Sequence, residues 1–94
     1  MTAVRTAHVR IEGRVQGVGY RAWTQRVALG LGLSGWVRNR RDGAVEALFQ
    51  GTPADVATMI ARCETGPAGA AVTKVSVLDE AEDAVAGFAV RETV

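Results

Sequence analysis

Ala7-His8-Val9-Arg10-Ile11-Glu12-Gly13-Arg14-Val15-Gln16-Gly17-Val18-Gly19-Tyr20-Arg21 decides the fold, because two periodicities meet inside it. Ala7, Val9 and Ile11 alternate with His8, Arg10 and Glu12, the period of two that a half-buried strand requires. Gly13 ends that pattern, and a glycine-bearing loop runs from Gly13 to Gly19. Beyond the loop Tyr20, Trp23, Thr24, Val27 and Leu31 recur at helical spacing, and Gly30 and Gly32 close the helix they define. Strand, loop and helix in this order open a crossover unit.

The rest of the chain extends it. Trp36–Asn39 reads as a second strand, and Asp42-Gly43 as a hairpin turn, since glycine accepts positive φ at little cost. Ala44–Gln50 is a third strand with Val45, Ala47 and Phe49 on one face. Thr52-Pro53-Ala54-Asp55 carries the marks of a helix start, with Thr52 as N-cap, Pro53 as the first helical residue and Asp55 in the first turn. Val56, Met59, Ile60 and Cys63 form the buried stripe of that helix, and Gly66-Pro67 ends it. Val72–Leu78 is a fourth strand, and a polar connection at Asp79–Asp83 leads to a short fifth, Phe88–Arg91. The order βαββαβ predicts a ferredoxin-like α/β (α+β) sandwich, a mostly antiparallel sheet with two helices on one face and solvent on the other.

Length and composition set the frame. The chain has 94 residues, enough for a single domain over 1–94, and 48% hydrophobic residues can supply its core. A formal net charge of +1 gives no pull toward a polyanion. The one cysteine, Cys63, excludes an internal disulfide and favours the reducing cytoplasm. No apolar run has the length of a signal peptide or a membrane span.

Topology predicts where chemistry can happen. The first two strands run parallel, so the loop leaving strand one and Asn39 near the end of strand two meet at one edge of the sheet. A loop feeding a helix N-terminus attracts anions through its N–H groups and the helix dipole. Gly17 and Gly19 let backbone approach a phosphate. Arg21, in the first helical turn, is unfavourable for the dipole, which makes sense if its guanidinium grips a phosphate.

At this point the residues carry a resemblance. Gly13-Arg14-Val15-Gln16-Gly17-Val18-Gly19-Tyr20-Arg21 resembles the first signature of the acylphosphatase family. Gly35-Trp36-Val37-Arg38-Asn39, followed by Asp42-Gly43-Ala44-Val45-Glu46 and Gly51, resembles the second. The similarity runs through Gly66-Pro67, and the segment Gly87–Val94 matches least clearly. Gly19 stands where members of the family often carry a larger residue, a change that removes no donor. The resemblance implies hydrolysis of a carboxyl–phosphate anhydride to carboxylate and inorganic phosphate, with no metal and no cofactor. It assigns phosphate binding to Arg21 and to the backbone N–H groups of Gln16, Gly17, Val18, Gly19 and Tyr20. It assigns orientation of the attacking water to Asn39. It implies a monomer acting on a small acyl phosphate.

The chemistry agrees with the residues available. A carboxylate leaves without protonation, its pKa being near ~4, so no general acid is needed. A phosphoryl group in transfer needs position and charge stabilisation more than covalent help. Other residues have plainer readings: Arg38, Arg40 and Arg41 as an exposed basic hairpin, His8 as a surface residue with no partner at metal spacing, Cys63 as core, and Trp36 as a cover for the sheet edge or a flank of the site. Two rivals differ in class. The first is a non-catalytic module binding phosphate or carbamoyl phosphate, against which the presence of both Arg21 and Asn39 favours an enzyme. An RNA-binding domain would need exposed aromatics on its two central strands, where strand one offers His8, Arg10 and Glu12.

Overall fold

The computed structural model describes residues 3–80 and 86–94. Its elements are β1 (Arg5–Arg14), α1 (Tyr20–Gly30), β2 (Ser34–Asn39), β3 (Val45–Gly51), α2 (Pro53–Cys63), β4 (Ala71–Glu80) and β5 (Phe88–Val90). The five strands form one sheet in the order β4-β1-β3-β2-β5. β3 is antiparallel to both β1 and β2, so those two run parallel, and β5 adds to β2 in parallel. The ferredoxin-like arrangement holds, and no helix among the described residues is long and apolar enough to cross a membrane.

Ala7, Val9, Ile11, Val37, Val45, Ala47 and Phe49 are fully buried under the two helices. Tyr20, Thr24 and Ala28 face them from α1, and Val56, Met59 and Cys63 from α2. Trp23, Val27 and Leu31, expected on the α1 core face, pack at its margin, while Ala28 takes a central place that its small side chain did not announce.

α2 obeys the rules for helix ends. Thr52 Oγ1 accepts the Asp55 N–H at 3.2 Å, Pro53 begins the helix, and Arg62 lies in its last turn. α1 ends in a Schellman motif: the Leu33 N–H donates to Ala28 O at 2.9 Å, and that of Gly32 to Leu29 O at 3.1 Å.

Several strand boundaries depart from the sequence reading, among them those of β1, β4 and β5. β1 does not stop at Gly13 but continues through a register shift to Arg14, beside β4. A Cβ at Gly13 would lie 2.3 Å from Ala71 O, so the glycine admits a neighbouring strand rather than ending one. β4 continues through Asp79 to Glu80, so the polar connection begins later than expected, and its residues 81–83 lie outside the described residues. β5 is three residues long, yet the chain beyond it stays tied to β2: the Arg91 N–H donates to Val37 O at 2.8 Å and that of Val94 to Asn39 O at 3.1 Å.

The outer sheet face is less solvated than alternation suggests. Glu46 and Leu48 on the central strand are each only 7% exposed. His8 covers Glu46, with Nε2 at 2.5 Å from its carboxylate and Nδ1 at 2.9 Å from Asp79. Arg38 Nε donates to the other Glu46 oxygen at 2.6 Å. Burial works against the Glu46 charge, but the Arg38 and His8 hydrogen bonds outweigh it and hold the carboxyl below its usual range. His8 and Arg38 therefore belong to a polar cluster spanning four strands, not to bare surface.

Candidate active site

Gly13–Gly19 was expected to hand a strand to a helix, and the turn that does so spans residues 15–19. Gly17 and Gly19 sit at φ 74 and 76 with open space where a Cβ would point. Glycine is needed there for the backbone conformation rather than for room. Gly19 is the N-cap of α1 and offers no side chain to it; its carbonyl accepts the Trp23 N–H at 3.0 Å. The N–H groups at the start of α1 thus lack the internal partners that later turns have. The same turn holds Arg21 and no acid. α1 breaks at this end every rule that α2 obeys, the pattern of a segment shaped for a ligand rather than for helix stability.

The turn, the start of α1 and the end of β2 enclose a cavity of about 330 Å³. Gln16, Gly17, Gly19, Tyr20, Arg21 and Asn39, all singled out in the sequence, line it. Val18 does not; its side chain packs against the core. Val15, Ala22, Gln25 and Val90 also line it and were not anticipated. Trp36 lies outside the cavity, on the other sheet face, with the Arg38 and Arg91 guanidinium carbons 4.6 and 4.9 Å from its ring centre.

Each wall is held by a contact that crosses the fold. Gln16 Nε2 donates to Arg40 O at 2.6 Å and to Ala44 O at 2.9 Å, tying the turn to the hairpin that follows Asn39. Tyr20 turns its ring into the core and donates its hydroxyl to Cys63 O at 2.6 Å, anchoring the start of α1 on the end of α2. Burial pushes both the Tyr20 hydroxyl and the Cys63 thiol up, the thiol to about 12. Cys63 is core, as its place on the stripe predicted. Arg21 Nη1 donates to Arg91 O at 3.1 Å, so the chain after β5 positions the guanidinium. No carboxylate among the described residues pairs with Arg21, and the Asn39 carboxamide bonds to no other described side chain or backbone group. A cation, an uncapped helix start and an open carboxamide therefore share one cavity. The combination suits a tetrahedral oxyanion and a water beside it.

Two neighbouring charges are engaged elsewhere. Asp42 accepts the Ala44 N–H and pairs with Arg10 at 2.9 Å, and both hold its carboxyl below the usual range. Arg40 leans toward Glu46 at 3.4 Å. Among the described residues no three His, Cys, Asp or Glu side chains form a group that could hold a metal ion.

Comparison with known proteins places this geometry. The family model described as Acylphosphatase matches residues 7–90. An acylphosphatase of Rhodopseudomonas palustris (strain BisB5) is 56% identical over 84 residues, 89% of this chain and 83% of that protein. One from Synechococcus sp. is 48% identical over 93% of both chains. The solved acylphosphatase of Coxiella burnetii superposes with a TM-score of 0.89 at 32% identity, covering 94% of this chain and 93% of its own. With the family model spanning both walls of the cavity and relatives this similar along nearly their whole length, the chain belongs to the acylphosphatase family.

Proposed function

We propose that this cavity hydrolyses small acyl phosphates by direct attack of water, with Arg21 binding the phosphoryl group and Asn39 orienting the water. Membership of the family and the names of its relatives support acyl-phosphate hydrolysis over a non-catalytic binding module. The observation that carries the residue roles is the convergence of Arg21, unpaired with any carboxylate among the described residues, and Asn39 on one cavity.

The phosphoryl oxygens accept from the guanidinium and from backbone N–H groups of Gln16 to Tyr20. These donors meet the charge on the equatorial oxygens and are already in place when it develops. The Asn39 carboxamide accepts from the attacking water and aims its oxygen at phosphorus. The new bond forms between that oxygen and phosphorus as the bond to the acyl oxygen breaks. The electron pair leaves on the carboxylate, which is stable unprotonated, and a phosphoryl oxygen takes the proton of the water. No side chain is asked to be nucleophile, acid or base, so the reaction passes through no phosphoenzyme.

The reading also takes the chain as one domain acting alone in the cytoplasm, without nucleic acid. The match over 7–90 supports the first point, the single buried cysteine the compartment. The guanidiniums against Trp36 occupy the ring that a nucleobase would need.

The test is hydrolysis of benzoyl phosphate in excess EDTA, with Asn39→Ala alongside. Wild type turns over, and the variant loses about 10²–10³ in kcat, the scale of a lost transition-state donor. Full turnover by the variant would remove Asn39 from the mechanism. A rapid-quench phosphoenzyme would overturn direct attack.

A further inference from the structure

The cavity is larger than its phosphate cradle. From Arg21 it continues along α1 past Ala22 to Gln25 and is bounded across the groove by Val90 at the end of β5. Gln25 lies one helical turn beyond Arg21, so both point to the same side of α1. Its Nε2 donates to Phe88 O at 2.9 Å, which fixes the carboxamide between helix and strand and closes that end of the groove. Val90 is 43% exposed, an apolar side chain presented to the opening rather than the core. Among the described residues of the lining, Arg21 is the only one with a charged side chain.

We infer that Ala22, Gln25 and Val90 form the acyl-group subsite, and that it takes a small uncharged acyl group in preference to one bearing a second phosphate or carboxylate. The inference rests on the acyl-phosphate reading above and adds to it the substrate class. With the phosphoryl group against Arg21 and the cradle N–H groups, and with water on the Asn39 side, the acyl carbon projects along the remaining arm of the cavity. That arm presents a methyl group, a branched aliphatic side chain and one carboxamide. An acetyl or aromatic acyl group gains contact with Val90 and Ala22. A second anionic group would meet no cation among the described residues there and would lose its water against an aliphatic wall. The volume of about 330 Å³ is near the lower end of the ~300–1,000 Å³ usual for small-molecule sites, which suits a small acyl group.

The experiment measures kcat/KM for benzoyl phosphate, acetyl phosphate and 1,3-bisphosphoglycerate, and the inhibition constant of inorganic phosphate, in wild type, Val90→Ala and Val90→Lys. Val90→Ala should lower the benzoyl-to-acetyl ratio of kcat/KM by roughly fivefold. That is below the ~10-fold lower bound for a methylene in an enclosed pocket, because Val90 is partly exposed. Val90→Lys should raise the bisphosphoglycerate-to-benzoyl ratio by about tenfold or more, and the exposed position accepts either side chain. In both variants the phosphate inhibition constant should stay within about twofold of wild type, since phosphate alone does not reach position 90. Ratios unmoved in both variants, or a phosphate constant that moves as much as the ratios, would overturn the subsite while leaving wild-type hydrolysis intact. Absence of turnover on all three substrates by wild type would instead overturn the reading on which the subsite rests.

Discussion

Gln16→Leu separates the position of the phosphate turn from its chemistry. The side chain contributes no contact to substrate in the proposed mechanism, only its backbone N–H. What it does is bridge the turn to Arg40 O and Ala44 O. Both carbonyls keep a backbone donor when the amide is removed, Arg40 O from the Gly43 N–H and Ala44 O from the Arg40 N–H. The loss is therefore that of two neutral hydrogen bonds without stranded acceptors, about 1–2 kcal/mol in all. For a chain of 94 residues this lowers Tm by roughly 5–15 °C, which leaves a folded protein at 25 °C. The effect on turnover should be larger than on binding. The turn keeps its own glycine conformations and the Tyr20 anchor, so it still holds phosphate, and the phosphate inhibition constant should change less than about threefold. Its register against Asn39 is lost, and a displacement near 1 Å costs roughly 10² in rate. Circular dichroism gives Tm, and steady-state hydrolysis of benzoyl phosphate gives kcat and KM. A fall in Tm with kcat unchanged would show that the bridge stabilises the fold without aligning the site.

Three further outcomes are expected. Arg21→Lys keeps the charge but not the paired donors, so the phosphate inhibition constant should weaken about 10- to 100-fold, and an unchanged constant would remove the guanidinium from binding. Glu46 has a folded pKa below its unfolded value of 4.5, so its contribution is present above that pH and lost as pH falls through the folded value. Urea midpoints should therefore drop on acidification below about pH 4.5, and Glu46→Gln should flatten that slope. The Cys63 thiol is raised from 9.0 to about 12, so folding stability falls as pH rises above about 9, and a thiol reagent at neutral pH should label Cys63 only after denaturant is added.

Local signals carried the elements and part of the cavity lining. The alternation from Ala7 to Glu12, the helical spacing after Tyr20, and the Thr52-Pro53-Ala54-Asp55 helix start act over a few residues, where chain geometry alone sets the outcome. The glycine turn and its cation were legible for the same reason: glycines before a helix, and a cation in its first turn, depart from local preference in a way a sequence displays. Even the meeting of that turn with Asn39 followed from strand direction, since a helical crossover makes the two strands parallel.

What holds the site could not be read this way. Gln16, Tyr20 and Gln25 act through carbonyls of residues far along the chain, and any residue has a carbonyl, so no side-chain pattern marks the acceptor. The last residues seemed the least informative part, yet Arg91 O receives Arg21 and Val90 bounds the cavity, because a three-residue strand seats itself on β2 by register rather than by composition. Glu46 and His8 looked like solvent-facing positions on alternating strands. They are covered because β3 is central and its neighbours supply arginine, histidine and aspartate across the sheet. The sequence by itself determined that the glycine turn, Arg21 and Asn39 gather at one sheet edge, since that depends on local conformation and chain direction. The tertiary structure alone decided how those groups are held and what shape the cavity beside them takes, since both depend on contacts between segments that no short-range pattern records.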